Sequence, residues 1–231
     1  MNESMHLSRQ YDDELEGLRT HVLQMGGLVE SQISLATEAY LEGDMELVST
    51  IVDTDKRVNE LQKAIDDDCI HVVAKRQPAA SDLRLVMSVS KIVTDLERAG
   101  DESKKIAKGV RRINERGQMT MAANAANVTH IAKEATEQLR RALDAFARLD
   151  TEAAQAVIIS DKELDREFKA IVRQLVTYMM EDPRTISSAL DVITIARAIE
   201  RIGDHAKNIA EQVVYIVEGR DIRYPGKENP A

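Results

Sequence analysis

The sequence predicts an all-α protein in which six long helices form two similar antiparallel three-helix bundles. Three observations carry that expectation. Breakers are scarce: 231 residues contain Gly 10 and Pro 4, and before Tyr224 only Pro78 and Pro183 interrupt the chain. Sandwiches, barrels and doubly wound sheets need frequent turns, and the aromatic supply is thin, with Tyr 5, Phe 2 and Trp 0. Apolar residues recur at alternating spacings of three and four, as on helix faces. Finally, stretches of the first half return in the second, in order and in register.

Taken in order, the first helix is expected over residues 9–41, stopped by Gly43, and the second over 45–76, ended before Pro78. Ser81 or Asp82 is expected to cap the third, which runs to Asn114 with Gly117 beyond it. The fourth covers 122–148, the fifth 151–180 and the sixth 185–218, where Gly219 ends it. The organisation read from this is a bundle over 1–117, a second over 118–219, and a loose tail over 220–231 carrying Pro225 and Pro230.

Repetition ties the halves together. Leu96-Glu97-Arg98-Ala99-Gly100-Asp101 returns 103 residues later as Ile199-Glu200-Arg201-Ile202-Gly203-Asp204, continuing through Lys104/Lys207, Ile106/Ile209 and Ala107/Ala210. Asp55-Lys56 and Lys63-Ala64-Ile65 return 106 residues later as Asp161-Lys162 and Lys169-Ala170-Ile171. In the third helix Val89, Val93, Leu96, Gly100, Ser103, Ala107 and Val110 form a heptad-like seam, widened by Ile92, Ala99 and Ile106. The sixth repeats it from Val192 to Val213, widened by Ile195, Ile202, Ile209 and Ile216. A glycine inside a helix costs about 1 kcal/mol. Gly100 and Gly203, at one register of both seams, are expected to admit a facing backbone.

Composition excludes several classes. Lys+Arg 31 against Asp+Glu 40 leaves a formal charge of -9, so no nucleic-acid-binding arm is expected. One cysteine, Cys69, excludes a disulfide framework or thiolate cluster and suits the cytoplasm. Residues 1–13 resemble no signal peptide, and no apolar run approaches the ~20 residues of a membrane span. A membrane would be met only through a partner.

Four segments carry an acidic residue followed four positions later by another oxygen-bearing side chain: Asp55/Asn59, Glu97/Asp101, Asp161/Asp165 and Glu200/Asp204. Each pair shares a helix face, with Cα atoms ~6 Å apart along the axis. In heptad terms all four border the apolar seam from the same side, at positions e and b, so neighbouring helices could join two pairs into an oxygen-rich site. Two readings stay open. Such residues are commonly solvated or salt-bridged, and Arg98, Arg201, Lys104 and Lys207 lie close by; alternatively they hold a hard or borderline cation such as Mg, Mn, Ca or Fe.

Other chemistry is poorly represented. A di-iron enzyme wants a Glu-x-x-His on each of two helices, and the nearest approach is a single Asp68-Cys69-Ile70-His71. His205 follows Asp204 and is expected to be a lone surface histidine. Phosphate-binding glycine loops and nucleophile elbows are missing. Lys75 and Arg76 complement a helix end, and Met119, Met121, Met179 and Met180 are expected to pack. Three function classes remain: a regulatory adaptor, a metal-dependent hydrolytic enzyme, and a purely structural helical assembly protein.

At these residues the sequence resembles the PhoU family of phosphate transport system accessory and regulatory proteins. The similar segments are 74–86 (Ala-Lys-Arg-Gln-Pro-Ala-Ala-Ser-Asp-Leu-Arg-Leu-Val), Leu96 to Asp101, 144–148, 178–182 and Ile199 to Asp204. The resemblance implies two three-helix bundles related by a pseudo-twofold. It implies a cytoplasmic, non-enzymatic negative regulator of the phosphate-starvation response. Such a protein couples the phosphate ABC transporter, through its ATPase, to a sensor histidine kinase, moderates phosphate uptake and forms a homodimer. It also implies iron or zinc at motifs of Glu or Asp, three residues, then Asp, which with the hard cations that oxygen donors favour makes Fe, Zn, Mn or Mg the expected ions. Glu97/Asp101, Asp161/Asp165 and Glu200/Asp204 meet that motif. Asn59 stands where Asp is expected, and its amide removes one negative charge from that corner.

Overall fold

A computed structural model describes residues 2–116 and 122–223, with side chains from residue 10 onward in the first stretch and residue 127 onward in the second. The described residues contain six α-helices, a 3-10 turn and no strand. The first lobe comprises α1 (Asn2–Glu42), α2 (Met45–Arg76) and α3 (Ala80–Glu115). The second comprises α4 (Ala122–Arg148), α5 (Thr151–Glu181) and α6 (Ile186–Glu218), with the 3-10 turn Pro183–Thr185 leading into α6. The expected junction at Gly117, together with Met119 and Met121, lies outside the described residues, as does the tail from residue 224.

Corners between helices follow local chemistry. Gly43 ends α1 at φ 69, and the Asp44 carboxylate caps α2 by accepting from the Glu46 amide at 2.7 Å. The same corner returns 106 residues later. Leu149 takes φ 52 and Asp150 accepts from the Ala153 amide at 3.0 Å. Two expectations fail locally. α1 begins at Asn2 rather than Arg9, since no breaker lies between them. α3 begins after Ala79, which makes no side-chain cap; Asp82 instead accepts from the Tyr11 hydroxyl at 2.9 Å, tying α3 to α1.

Both seams are buried along their length, as are their widening rows. The width has a physical reason: α3 and α6 each serve their own lobe and the other lobe. α3 packs along α6, and α1 along α4, so equivalent helices of the two lobes meet. One contact across the junction has its symmetry mate, in keeping with a pseudo-twofold. Arg116 donates to the Ser187 carbonyl at 3.2 Å, and the equivalent pair, Arg84 and Gly219, also lie together. Asp191 binds Arg112 Nε at 2.7 Å and also pairs with Arg116. His205, expected at the surface, is mostly buried in this junction, with Nδ1 2.9 Å from Asp95 Oδ1. Met180 is a further correction: it is 81% exposed, because it lies on the outer face near the end of α5. Arg76, beyond complementing its helix end, grips Glu14 of α1 through Nε and Nη2.

Burial pushes the Cys69 thiol up to about 12, with Asp66 and Asp68 adding to the shift; it pushes the Tyr40 phenol up to about 12 as well. The fold therefore holds both protons to higher pH than the unfolded chain does. The stability they support is whole below the usual thiol range and is lost as pH rises toward about 12. The native protein is expected to resist thiol-specific reagent at about pH 8 and to react once unfolded. A thermal melt series should show falling stability through the alkaline window.

Candidate metal centre

The fold sets the predicted residues in two clusters, one in each lobe. α2 presents Asp55 and Asn59 to the α3 residues Glu97 and Asp101. α5 presents Asp161 and Asp165 to the α6 residues Glu200 and Asp204. Asp55 and Asp161 are buried at 6% and 9% exposure, Glu200 is buried at 8%, and the remaining five are half-buried or reach solvent. Burial raises the Glu97 carboxyl above its usual range, and the charges of Asp101 and Asp55 add to it. Glu200 rises through burial and then Asp204. Asp204 rises through burial and then Asp161. Ionised at neutral pH, these groups cost the fold stability, and nearby positive charge relieves that cost.

That charge comes from two lysines. Lys104 Nζ lies 2.8 Å from Asp55 Oδ2 and 2.6 Å from Asp101 Oδ1, bridging α2 and α3. Lys207 Nζ lies 3.0 Å from Asp161 Oδ2, bridging α5 and α6. Burial alone would lower the Lys104 ammonium, but its bonds to Asp101 and Asp55 hold it above the usual lysine range. The bond to Asp161 raises Lys207 against its burial. Asn59 donates to Asp55 Oδ2 at 3.1 Å, so the amide serves that carboxylate directly. Its equivalent, Asp165, turns outward to Lys169 at 3.1 Å. Arg197 binds Glu200 at 2.9 Å.

Beneath each row lies a buried glutamine absent from the sequence-based prediction. A Cβ on Gly100 would stand 3.0 Å from Gln32 Oε1 and 3.9 Å from Asp55 Oδ1. On Gly203 it would stand 3.0 Å from Gln138 Oε1 and 3.7 Å from Asp161 Oδ1, and it would overlap Leu164. The glycines thus admit side chains rather than a facing backbone. Gln32 Nε2 donates to the Ile51 carbonyl at 3.2 Å. The Oε1 atoms of both glutamines and Oδ1 of Asp55 are buried without a hydrogen-bond partner. The signal was present in the repeat: Gln32/Gln138, Ala36/Ala142, Ala39/Ala145, Asp44/Asp150 and Glu46/Glu152 are all 106 apart.

The donors are oxygens, several carry charge, and buried oxygens among them lack partners; this set suits a hard cation. Among the described residues no three His, Cys, Asp or Glu side chains stand ready to hold one ion, and in the arrangement seen an ammonium is seated among the carboxylates. Asp68, of the single di-iron-like motif, pairs with His21 of α1 at 3.2 Å.

Comparison with known proteins agrees with this architecture. The PhoU domain model matches residues 22–110 and 128–213, one stretch in each lobe. A Pseudomonas putida protein named phosphate-specific transport system accessory protein PhoU homolog is 48% identical over 221 residues, covering 96% of this chain and 86% of that protein. The Escherichia coli K12 phosphate-specific transport system accessory protein PhoU is 43% identical over 227 residues, covering 98% and 92%. The crystal structure of PhoU from Pseudomonas aeruginosa superposes with a TM-score of 0.87 at 47% identity, covering 91% of this chain and 100% of that one. The phosphate transport system regulatory protein PhoU of Streptococcus pneumoniae gives 0.84 at 29% identity, covering 92% and 99%. These relatives carry accessory and regulatory names rather than enzymatic ones. With a duplicated three-helix lobe, a family model matched in each copy and relatives spanning nearly its whole length, the chain belongs to the PhoU family.

Proposed function

We propose that the protein is a cytoplasmic negative regulator of the phosphate-starvation response. In this reading it acts as a homodimer that couples the phosphate ABC transporter, through its ATPase, to a sensor histidine kinase and moderates phosphate uptake. The observation that carries the reading is the near full-length match to proteins named for the phosphate-specific transport system. No described helix is long and apolar enough to cross a membrane, and the proposed membrane association runs through the partners. A body whose lobes are pinned together by buried pairs is suited to holding two surfaces in fixed relation.

The same reading assigns metal ions to the carboxylate rows. Asp55, Asn59, Glu97 and Asp101 would hold them in the first lobe, and Asp161, Asp165, Glu200 and Asp204 in the second, with Fe, Zn, Mn and Mg as the candidates. A bound cation would add positive charge to these acidic rows and would link α2 to α3 and α5 to α6.

Deleting the gene tests the regulatory role. A phosphate-responsive reporter should then be expressed in phosphate-rich medium at a level approaching that of starved cells, and the full-length gene should restore repression. Repression that survives deletion in a strain without a paralogue would remove the proposal.

A further inference from the structure

We infer that Lys104 and Lys207 are resident counter-ions of the carboxylate rows, occupying the position a metal ion would take, so that metal enters only by displacing them. This rests on the assignment of metal to the rows and adds the residues that set its threshold. The Lys104 ammonium lies within 2.8 Å of Asp55 on one helix and 2.6 Å of Asp101 on the next. It therefore does what a bridging cation does: it neutralises carboxylates from two helices at once. Lys207 repeats the arrangement 103 residues later against Asp161. The buried Asp55 Oδ1 and Gln32 Oε1 make no hydrogen bond, and both lie close to Gly100 in the middle of the Glu97/Asp101 row. The ammonium thus leaves oxygens unused that a hard cation with six to eight ligands could engage.

Both lysines already reach solvent, with side chains 25% and 33% exposed for Lys104 and Lys207. Lys207 also lines an open cleft with Asp101 and Asp204, so a displaced head can turn to water while its stem stays packed.

The two rows differ in how they are neutralised. In the first, Lys104 alone holds two carboxylates, and Asn59 further occupies Asp55 Oδ2. In the second, Lys207 holds Asp161 while Lys169 meets Asp165 and Arg197 meets Glu200, so removing Lys207 leaves two cations in place.

Manganese titration of the purified full-length protein tests this, with free Mn2+ followed by electron paramagnetic resonance. Wild type, Lys104→Met, Lys104→Gln and Lys207→Met would be compared, with helical content checked by circular dichroism. The first-lobe site should tighten by about ten-fold or more in both Lys104 variants, since the competing charge is removed. Lys207→Met should produce a smaller gain in the second lobe. Unchanged or weaker Mn2+ affinity in the folded lysine variants would overturn the counter-ion role and leave the metal assignment standing. Failure of every protein, wild type and variants alike, to bind Mn2+ would overturn both.

Discussion

Exchanging Arg112 and Arg116 together for methionine is expected to destabilise the protein by about 3 kcal/mol, at the lower end of what breaking a buried ion pair costs. For a chain of this size that corresponds to a melting temperature lower by roughly 10 °C. Asp191 is 7% exposed, and its two carboxylate oxygens are taken by these two arginines. Methionine conserves most of the aliphatic stem, so the main loss is charge: a buried carboxylate of α6 left without its partners. The converse change is milder. Asp191→Asn removes the buried charge itself, and the arginine heads, each about two-fifths exposed, return to water. Thermal melts of the two variants separate these effects. A double arginine variant that melts with the wild type would show that the junction does not depend on this pair.

The same junction shows where the sequence was legible and where it was not. Helix number and corners could be read because the signals are local: an apolar seam, a glycine or aspartate at a corner, and few breakers between. The carboxylate rows could be read because an i,i+4 spacing puts two side chains on one face whatever the helix later packs against. Their partners could not. Lys104 and Lys207 are visibly close in sequence to Asp101 and Asp204, but their reach to Asp55 and Asp161 depends on how adjacent helices pack. His205 meets Asp95 across 110 residues, and no spacing rule places that pair. Gln32 and Gln138 lie between these cases. Their repetition is written in the chain, yet a lone glutamine in a helix carries no chemical signal until the glycine facing it is located. Ser81 and Asp82 were good caps by residue type, but tertiary pairing of Asp82 with Tyr11 used the carboxylate elsewhere.

The seam glycines support the second large prediction. Gly203→Val is expected to cost about 2–3 kcal/mol, although valine has a better intrinsic helix propensity than glycine. The added Cβ would overlap Leu164 and stand 3.0 Å from Gln138 Oε1, both belonging to well-packed neighbouring helices. Leu164 is buried at 2% exposure, so relief requires movement of a core side chain or of α5 itself. At Gly100 the nearest atom is Gln32 Oε1 at 3.0 Å, and the next, on Val58 and Asp55, are at 3.8 and 3.9 Å. Gly100→Ala should therefore be milder, and its cost should vanish when combined with Gln32→Ala, exposing the intrinsic gain of about 1 kcal/mol that alanine brings to a helix. A double-mutant cycle by denaturant unfolding measures this coupling. If Gly100→Ala and Gln32→Ala act additively, the glycine is not there to admit the glutamine. If they couple, each lobe has given up helix propensity to place buried oxygens beside its acidic row, a cost that stability alone does not explain.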